Sequence, residues 1–298
     1  DFLVDVAVYA IVPAHIWADV DPAAVKQDPG ATGTDPSRVI GTGPFQFAEW
    51  ITGDNARVEK YADYWQGEPN LDEYIFKVVP DQAAGSQQLQ TGEIDFMQGL
   101  PPSAVAEFEG TDVEVVAADR LSFTFFGYNL DPERNSIFQD QNLRQALLYA
   151  LDRQAMVDEI QGGFGEVAIG TMPPLSWAYN PEGIENTYEY DPERAIELLD
   201  EAGWVEGSDG IREKDGQRLE FTMYTNSGNN VREQYLVAMQ QFWSEIGVAM
   251  TPQLEPFPEL VDRVTETYDF DIFLLGFGWS AGPDQSAMFS CDAYEGGF

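Results

Sequence analysis

The sequence predicts a mixed helix-and-strand protein, α/β or α+β. Two patterns carry this. Short runs alternate apolar and polar residues at period two, while longer segments repeat apolar residues at three and four. A third observation is that capping and turn residues separate the two kinds of segment, so strands and helices follow one another along the chain.

Residues 21–38, rich in Asp, Pro, Gly and Thr, read as a loop. Gly41-Thr42-Gly43-Pro44-Phe45 then leads into a hairpin that includes Phe45, Phe47 and Val58. Residues 71–80 are a strand candidate through Ile75, Phe76, Val78 and Val79. Residues 83–91 suit a short helix closed by Gly92, and a strand is expected at Ile94-Asp95-Phe96-Met97. Two apolar runs follow at 113–118 and 121–128, the second strand-like and rich in aromatics. Over 142–161, Leu143, Ala146, Leu147, Ala150 and Leu151 share one helix face, and Gly162-Gly163 stops the helix. Asp191-Pro192-Glu193 is a helix start with Asp at the N-cap and Pro at N1; Ala195, Leu198, Leu199 and Ala202 face inward before Gly203. Asp215-Gly216 marks a hairpin turn ahead of a strand at 219–224. A helix over 230–246 and strands at 248–254 and 270–275 complete the pattern.

Charge narrows the function classes. The 298 residues hold 52 Asp plus Glu against 15 Lys plus Arg, a formal net charge of -37. A basic footprint for nucleic acid is absent, and an anionic membrane surface would repel the chain. Only 4 of the 15 cations are Lys. Lys scarcity with carboxylate excess predicts a salt-adapted protein, because molar salt shortens the Debye length to about 3 Å and screens the repulsion. With 44% hydrophobic and 13% aromatic residues the chain is expected to fold, and no apolar run approaches the roughly 18 residues of a membrane span. The single cysteine, Cys291, rules out an internal disulfide, and the single histidine, His15, leaves little material for a catalytic triad or a His-rich metal site. His15 lies in an apolar stretch and reads as structural. No catalytic residue, metal site or cofactor is expected.

Four groups of residues, in order, resemble the extracellular solute-binding proteins of the dipeptide/oligopeptide/nickel class, family 5. They are Gly41-Thr42-Gly43-Pro44-Phe45 with Glu49-Trp50, Gly53-Asp54 and Asp63-Tyr64-Trp65; Val79-Pro80-Asp81 with Thr91-Gly92-Glu93-Ile94-Asp95; Leu143-Arg144-Gln145-Ala146-Leu147 with Tyr149-Ala150-Leu151-Asp152-Arg153; and Ala195, Leu198-Leu199, Ala202-Gly203-Trp204 with Gly278-Trp279. The resemblance implies an α/β, two-lobed periplasmic-binding-protein-like fold with a ligand cleft between the lobes and lobe one incomplete. On this basis residues 1–122 are expected to be part of lobe one and 123–298 lobe two, incomplete at its C-terminus. The chain looks truncated at both ends, and the complete protein is expected to be extracellular or in the cell envelope, with a lipid anchor. The implied role is capture of a peptide or peptide-like solute and delivery to the permease subunits of an ABC importer, by a monomer. A sugar, a chelated metal or a chemosensory role is the alternative.

Several residues are expected to face the ligand. Trp279 and Ser280 follow the strand that ends at Gly278, where family members place an aromatic beside the ligand. An indole just past a strand's carboxyl end offers a flat apolar wall and one N–H donor. Asn226 and Ser227 follow another strand and could bind a carboxylate or carbonyl. Gln98 follows the expected strand at 94–97, and Tyr128 is placed near the hinge with Phe126. Dipeptide-binding relatives hold the ligand amine with an Asp three residues after the Trp; that position here is Gly282, and the nearest carboxylate is Asp284. Arg144 and Arg153 are expected to pair with Asp140 and Asp152. The competing class is a hydrolase using paired carboxylates such as Asp269 and Asp271, which one strand face would hold about 7 Å apart.

Overall fold

In the computed structural model, which describes residues 12–279 and 282–290, the chain runs through two units, the first ending at Pro80 and the second beginning at Asp81.

The first unit opens with a short helix, α1 (Ala14–Trp17), on which His15 is exposed. The polar loop that follows is organised by Asp28, whose carboxylate takes Arg38 at 2.8 Å and caps the Gly30 N–H at 2.8 Å. Strands β1 (Phe45–Ile51), β2 (Asn55–Lys60) and β3 (Glu73–Lys77) form an antiparallel sheet in that order. Residues 45–58 thus form the expected hairpin, with a bulge between Phe47 and Glu49.

The second unit holds the main core. Helix α2 (Gln82–Thr91) starts on the Asp81 side chain and ends at Gly92, which adopts φ 75°. Residues 94–97 and 113–118 form no strand. Their apolar side chains Ile94, Met97 and Val113 instead pack on a small cluster of Leu89, Ala104 and Phe108, so burial against a helix explains the pattern that alternation suggested. The expected helix over 142–161 is two helices, α3 (Gln141–Tyr149) and α4 (Arg153–Ile160). Asp152 breaks it by acting as an N-cap, accepting the Ala155 N–H at 2.9 Å. The apolar face survives the break because both helices pack on one core, with Ala150 and Leu151 buried at the joint. Helix α5 (Pro192–Glu201) begins at Asp191 and turns Ala195, Leu198 and Leu199 inward.

A small ribbon of β5 (Val205–Glu206), β6 (Arg212–Lys214) and β7 (Gln217–Arg218) turns at Asp215-Gly216, both with positive φ as a type I′ turn requires. The main sheet comprises β4 (Ser122–Tyr128), β8 (Glu220–Asn226), β9 (Ala249–Glu255) and β10 (Ile272–Gly278), in the order β4-β10-β8-β9. β10, β8 and β9 are parallel, and β4 runs antiparallel along one edge. Helix α6 (Asn230–Glu245) returns the chain between β8 and β9, burying Tyr235, Leu236, Met239 and Trp243. Trp243 is fully buried, and its indole N–H donates to the Leu147 carbonyl at 2.8 Å. Short helices α7 (Phe257–Asp262) and α8 (Ser286–Phe289) follow β9 and β10.

Candidate functional site

Parallel pairing brings the carboxyl ends of β8, β9 and β10 together, which is where open α/β sheets form ligand crevices. Backbone and side-chain bonds tie the ends of β8 and β9 to one another. The Ser227 N–H donates to the Glu255 carbonyl at 2.8 Å, and the Ser227 hydroxyl reaches the same oxygen at 3.3 Å.

Trp279 leaves the end of β10 half-buried, with its backbone N–H on the Leu121 carbonyl at 2.6 Å. Its ring stacks on Phe123 (6.4 Å, 22°) and meets Phe277 edge-on (4.6 Å, 62°). The result is a continuous aromatic wall. The indole N–H donates to the Thr171 carbonyl at 2.8 Å, so Trp279 offers a ring face rather than a donor. The Thr171 hydroxyl donates to Gln285 Oε1 at 2.7 Å. Gln285 Nε2 is buried and has no hydrogen-bond partner among the described residues. Beside it an open depression of about 440 Å³ is lined by Thr171, Gln285, Ser286, Phe289 and Ser290. A buried amide donor without an acceptor is costly, and a ligand carbonyl would satisfy it. Gln285 and Thr171 had no distinguishing sequence signal, since neither belongs to a motif and only the fold brings them together.

On the opposite face of the sheet, burial falls away toward the same end. Along β4 and β10 the cross-strand pairs pass from Tyr128/Ile272 and Phe126/Leu274, which pack in the core, to Thr124/Gly276 and Ser122/Gly278, which are exposed. Tyr128 therefore stands apart from the strand ends. Burial pushes its phenol well above the ordinary tyrosine range, and its hydroxyl donates to the Arg144 carbonyl at 3.1 Å. Its role is to anchor helix α3.

Asn226, the last residue of β8, accepts Arg232 Nη1 at 2.5 Å through its Oδ1 and donates to the Ser227 carbonyl at 3.2 Å. Asp284 is exposed and accepts the Ser286 N–H at 2.9 Å, a bond that holds its carboxyl below the usual range. Gln98 is exposed in the turn after residues 94–97. Ser280 lies outside the described residues. The structure brings Trp279 and Asp284 onto one segment and Asn226 and Ser227 onto another.

Two other expectations are corrected by geometry. Arg144 donates to the carbonyls of Phe138 (2.5 Å) and Gln139 (3.2 Å), and Arg153 to those of Ala168, Thr187 and Tyr188. Both staple backbone, while Asp140 and Asp152 cap helices. The carboxylates considered for glycoside cleavage are engaged structurally. Asp269 holds Arg134 at 2.7 Å and Arg263 at 3.0 Å, and Asp271 accepts the Thr222 N–H at 2.9 Å. Among the described residues, no group of three or more His, Cys, Asp or Glu is placed to hold a metal ion, and no helix is long and apolar enough to cross a membrane.

Comparison with known proteins adds the following. The profile of the bacterial extracellular solute-binding proteins, family 5 Middle, matches residues 1–297. The oligopeptide-binding protein AppA of Bacillus subtilis is 36% identical over 282 residues, covering 94% of this chain and 51% of AppA. The structure of AppA in complex with a nonapeptide aligns with a TM-score of 0.83 at 36% identity, over 95% of this chain and 55% of that one. Lactococcal OppA, complexed with an endogenous peptide in the closed conformation, gives 0.83 at 26% identity over 97% and 56%. NikZ from Campylobacter jejuni in complex with Ni(L-His) gives 0.78 at 26% identity over 91% and 51%. The chain thus spans about half the length of the relatives it matches.

Proposed function

The chain belongs to the bacterial extracellular solute-binding proteins of family 5, and on that premise we propose that it captures a peptide or peptide-like solute outside the cytoplasm for an ABC importer. The observation that carries this reading is the wall of Phe123, Trp279 and Phe277 beside the buried amide nitrogen of Gln285, which has no hydrogen-bond partner among the described residues. A peptide offers both complements: side chains that pack on an aromatic face and carbonyls that accept from an amide. AppA and OppA, each solved with a peptide, support the choice of ligand. The similarity to NikZ with Ni(L-His) favours a chelated metal as the second reading.

In this reading the protein works as a monomer without cofactor or catalytic step, and its partners are the ligand and the permease subunits. Residues 1–122 contribute to one lobe and 123–298 to the other. The formal net charge of -37 suits a saline extracellular or envelope setting.

The test is mass spectrometry of small molecules released from the purified full-length protein, followed by titration of the compound found. Peptides among the released molecules support the proposal; a metal chelate in their place supports the second reading. Trp279→Ala should then weaken binding by about 1–3 kcal/mol with folding intact. Unchanged affinity with a stability loss of about 3–5 kcal/mol would instead make Trp279 a core residue.

A further inference from the structure

The first turns of two helices meet in this fold. Helix α2 begins at Gln82 and helix α6 at Asn230, 148 positions later. A helix leaves its first N–H groups without partners of its own. Here each helix finds an acceptor beside the other. The Gln82 N–H donates to the carbonyl of Gly228, just ahead of α6, at 3.3 Å. The Asn230 N–H donates to Gln82 Oε1 at 3.2 Å. The same amide donates from Nε2 to the Gly99 carbonyl at 3.2 Å, so its two ends are used in opposite directions. Gln82 thus ties α2 and the turn at Gly99 to the turn that follows β8.

Both sides are organised without this contact. Asp81 caps α2 by accepting the Ala84 N–H at 2.7 Å, and Asn229 caps α6 by accepting the Arg232 N–H at 3.1 Å. Glu233 accepts the Gly228 N–H at 2.8 Å, and Ser227 is tied to the end of β9. Two preformed turns therefore meet through bonds at the long end of the usual range. Gln82, Gly228 and Asn230 are half-buried. If the turns part, water reaches each donor and acceptor and no buried group is orphaned. The contact is built to open at low cost.

In the lobe assignment above, Gln82 and Gly99 belong to lobe one, and Gly228 and Asn230 to lobe two. Each side adjoins a segment expected to face the ligand: Gly99 follows Gln98, and Gly228 follows Asn226-Ser227. Residues 81–122 share one compact unit with 123–298, as a joined arrangement requires.

We propose that Gln82 is a clasp that joins the two lobes directly, beside the segments that face the ligand, so that the closed form is populated without solute. The proposal rests on the two-lobed solute-binding reading above. Gln82 is a positioning residue in it. The clasp holds backbone groups on both sides, so it raises the apparent affinity of every solute by one factor and does not choose among them.

Spin labels read the clasp with no solute present. In the full-length protein, native cysteines, Cys291 among them, are replaced by serine, and labels are placed at Gln87→Cys and Gln241→Cys, both exposed and both within helices. Double electron–electron resonance is expected to give a short and a long distance in the wild type. Gln82→Ala should lower the ratio of short to long by about tenfold, as loss of two modest hydrogen bonds would. Gln82→Glu, which keeps an acceptor at the start of α6, should hold an intermediate ratio. Should Gln82→Ala fail to melt cooperatively, Asn230→Pro replaces it. Proline is tolerated at the first helical position and deletes the N–H that Gln82 accepts, so the ratio should fall in the same direction. A single short distance in the wild type that splits in either variant upholds the clasp equally. A short distance that neither variant changes means that residues 81–122 are fused permanently to the rest, and a single long distance in the wild type means that the lobes do not meet; either overturns the clasp. So does a pair of distances whose ratio neither variant moves. These readings use no solute. If none is found on the protein, the capture reading falls while the distances still decide the clasp, and if peptides are found but the ratio does not move, the clasp falls alone.

Discussion

In the main sheet, β8 turns Phe221, Met223 and Thr225 into a core where each is at most 5% exposed, and β10 adds Ile272 and Leu274 to the same layer. The three-stranded sheet obeys the same period-two rule with a different result. Phe47, Trp50, Val58, Tyr74 and Phe76 share one face by register, while Glu49, Arg57, Glu59 and Glu73 share the other. Yet Trp50 is 47% and Phe76 57% exposed, and Gly30 is the one buried residue among those described up to Pro80. What holds this sheet is its ladder, its turns and its charges. Lys60 illustrates the last: its hydrogen bonds to the carboxylates of Glu68 and Asp72 push its pKa up to about 12. Alternation in a sequence therefore specifies a strand and its two faces, but not whether a packing layer covers the apolar face.

The largest effect that follows is in the core. Trp243 packs edge-on against Phe126 and Phe221 and donates its N–H to a buried carbonyl. Trp243→Ala removes the ring and leaves the Leu147 carbonyl without that donor. Denaturant unfolding should show a loss of about 3–5 kcal/mol. A loss under about 1 kcal/mol would mean that this region is no better packed than the three-stranded sheet.

Salt should act next, and across the whole surface. Screening weakens favourable ion pairs and unfavourable repulsion alike, so their balance decides the sign. Exposed pairs contribute little individually, whereas the excess of 37 negative charges is unopposed. The melting temperature is therefore expected to rise from about 0.1 M to about 3 M salt, as the Debye length falls from about 10 Å to below 3 Å. A flat profile would remove the salt-adapted reading.

Much of this fold was legible because its signals are local. Asp191-Pro192 starts a helix, Asp215-Gly216 makes the hairpin turn, and the strands expected at 219–224, 248–254 and 270–275 form as β8, β9 and β10. The failures have a common cause. Residues 94–97 carry a strand pattern but bury their apolar side chains against a helix and a turn, without any ladder. The break at Asp152 was hidden because capping and helix continuation share one apolar periodicity. The site was legible only in part. A strand followed by Trp279 is readable, but the partners Thr171 and Gln285 lie 108 and 6 residues away in sequence and no pattern links them.

The smallest expected effect tests the comparison most directly. Phe76 lies on β3 opposite Ala56, tilted against Tyr74 at 4.6 Å, and is 57% exposed. With more than half its surface already in water, Phe76→Ser removes little burial, and serine is tolerated on a solvated strand. The expected cost is within about 0.5 kcal/mol, well under that for Trp243→Ala, with melting still cooperative. Hydrogen exchange on β2 and β3 reads the same substitution locally, and their ladder amides should keep their protection, because the backbone bonds of the sheet do not depend on that ring. A cost above about 2 kcal/mol would show that Phe76 is buried in solution. The aromatic face of this sheet would then have a packing layer after all, and the two sheets would be stabilised in the same way.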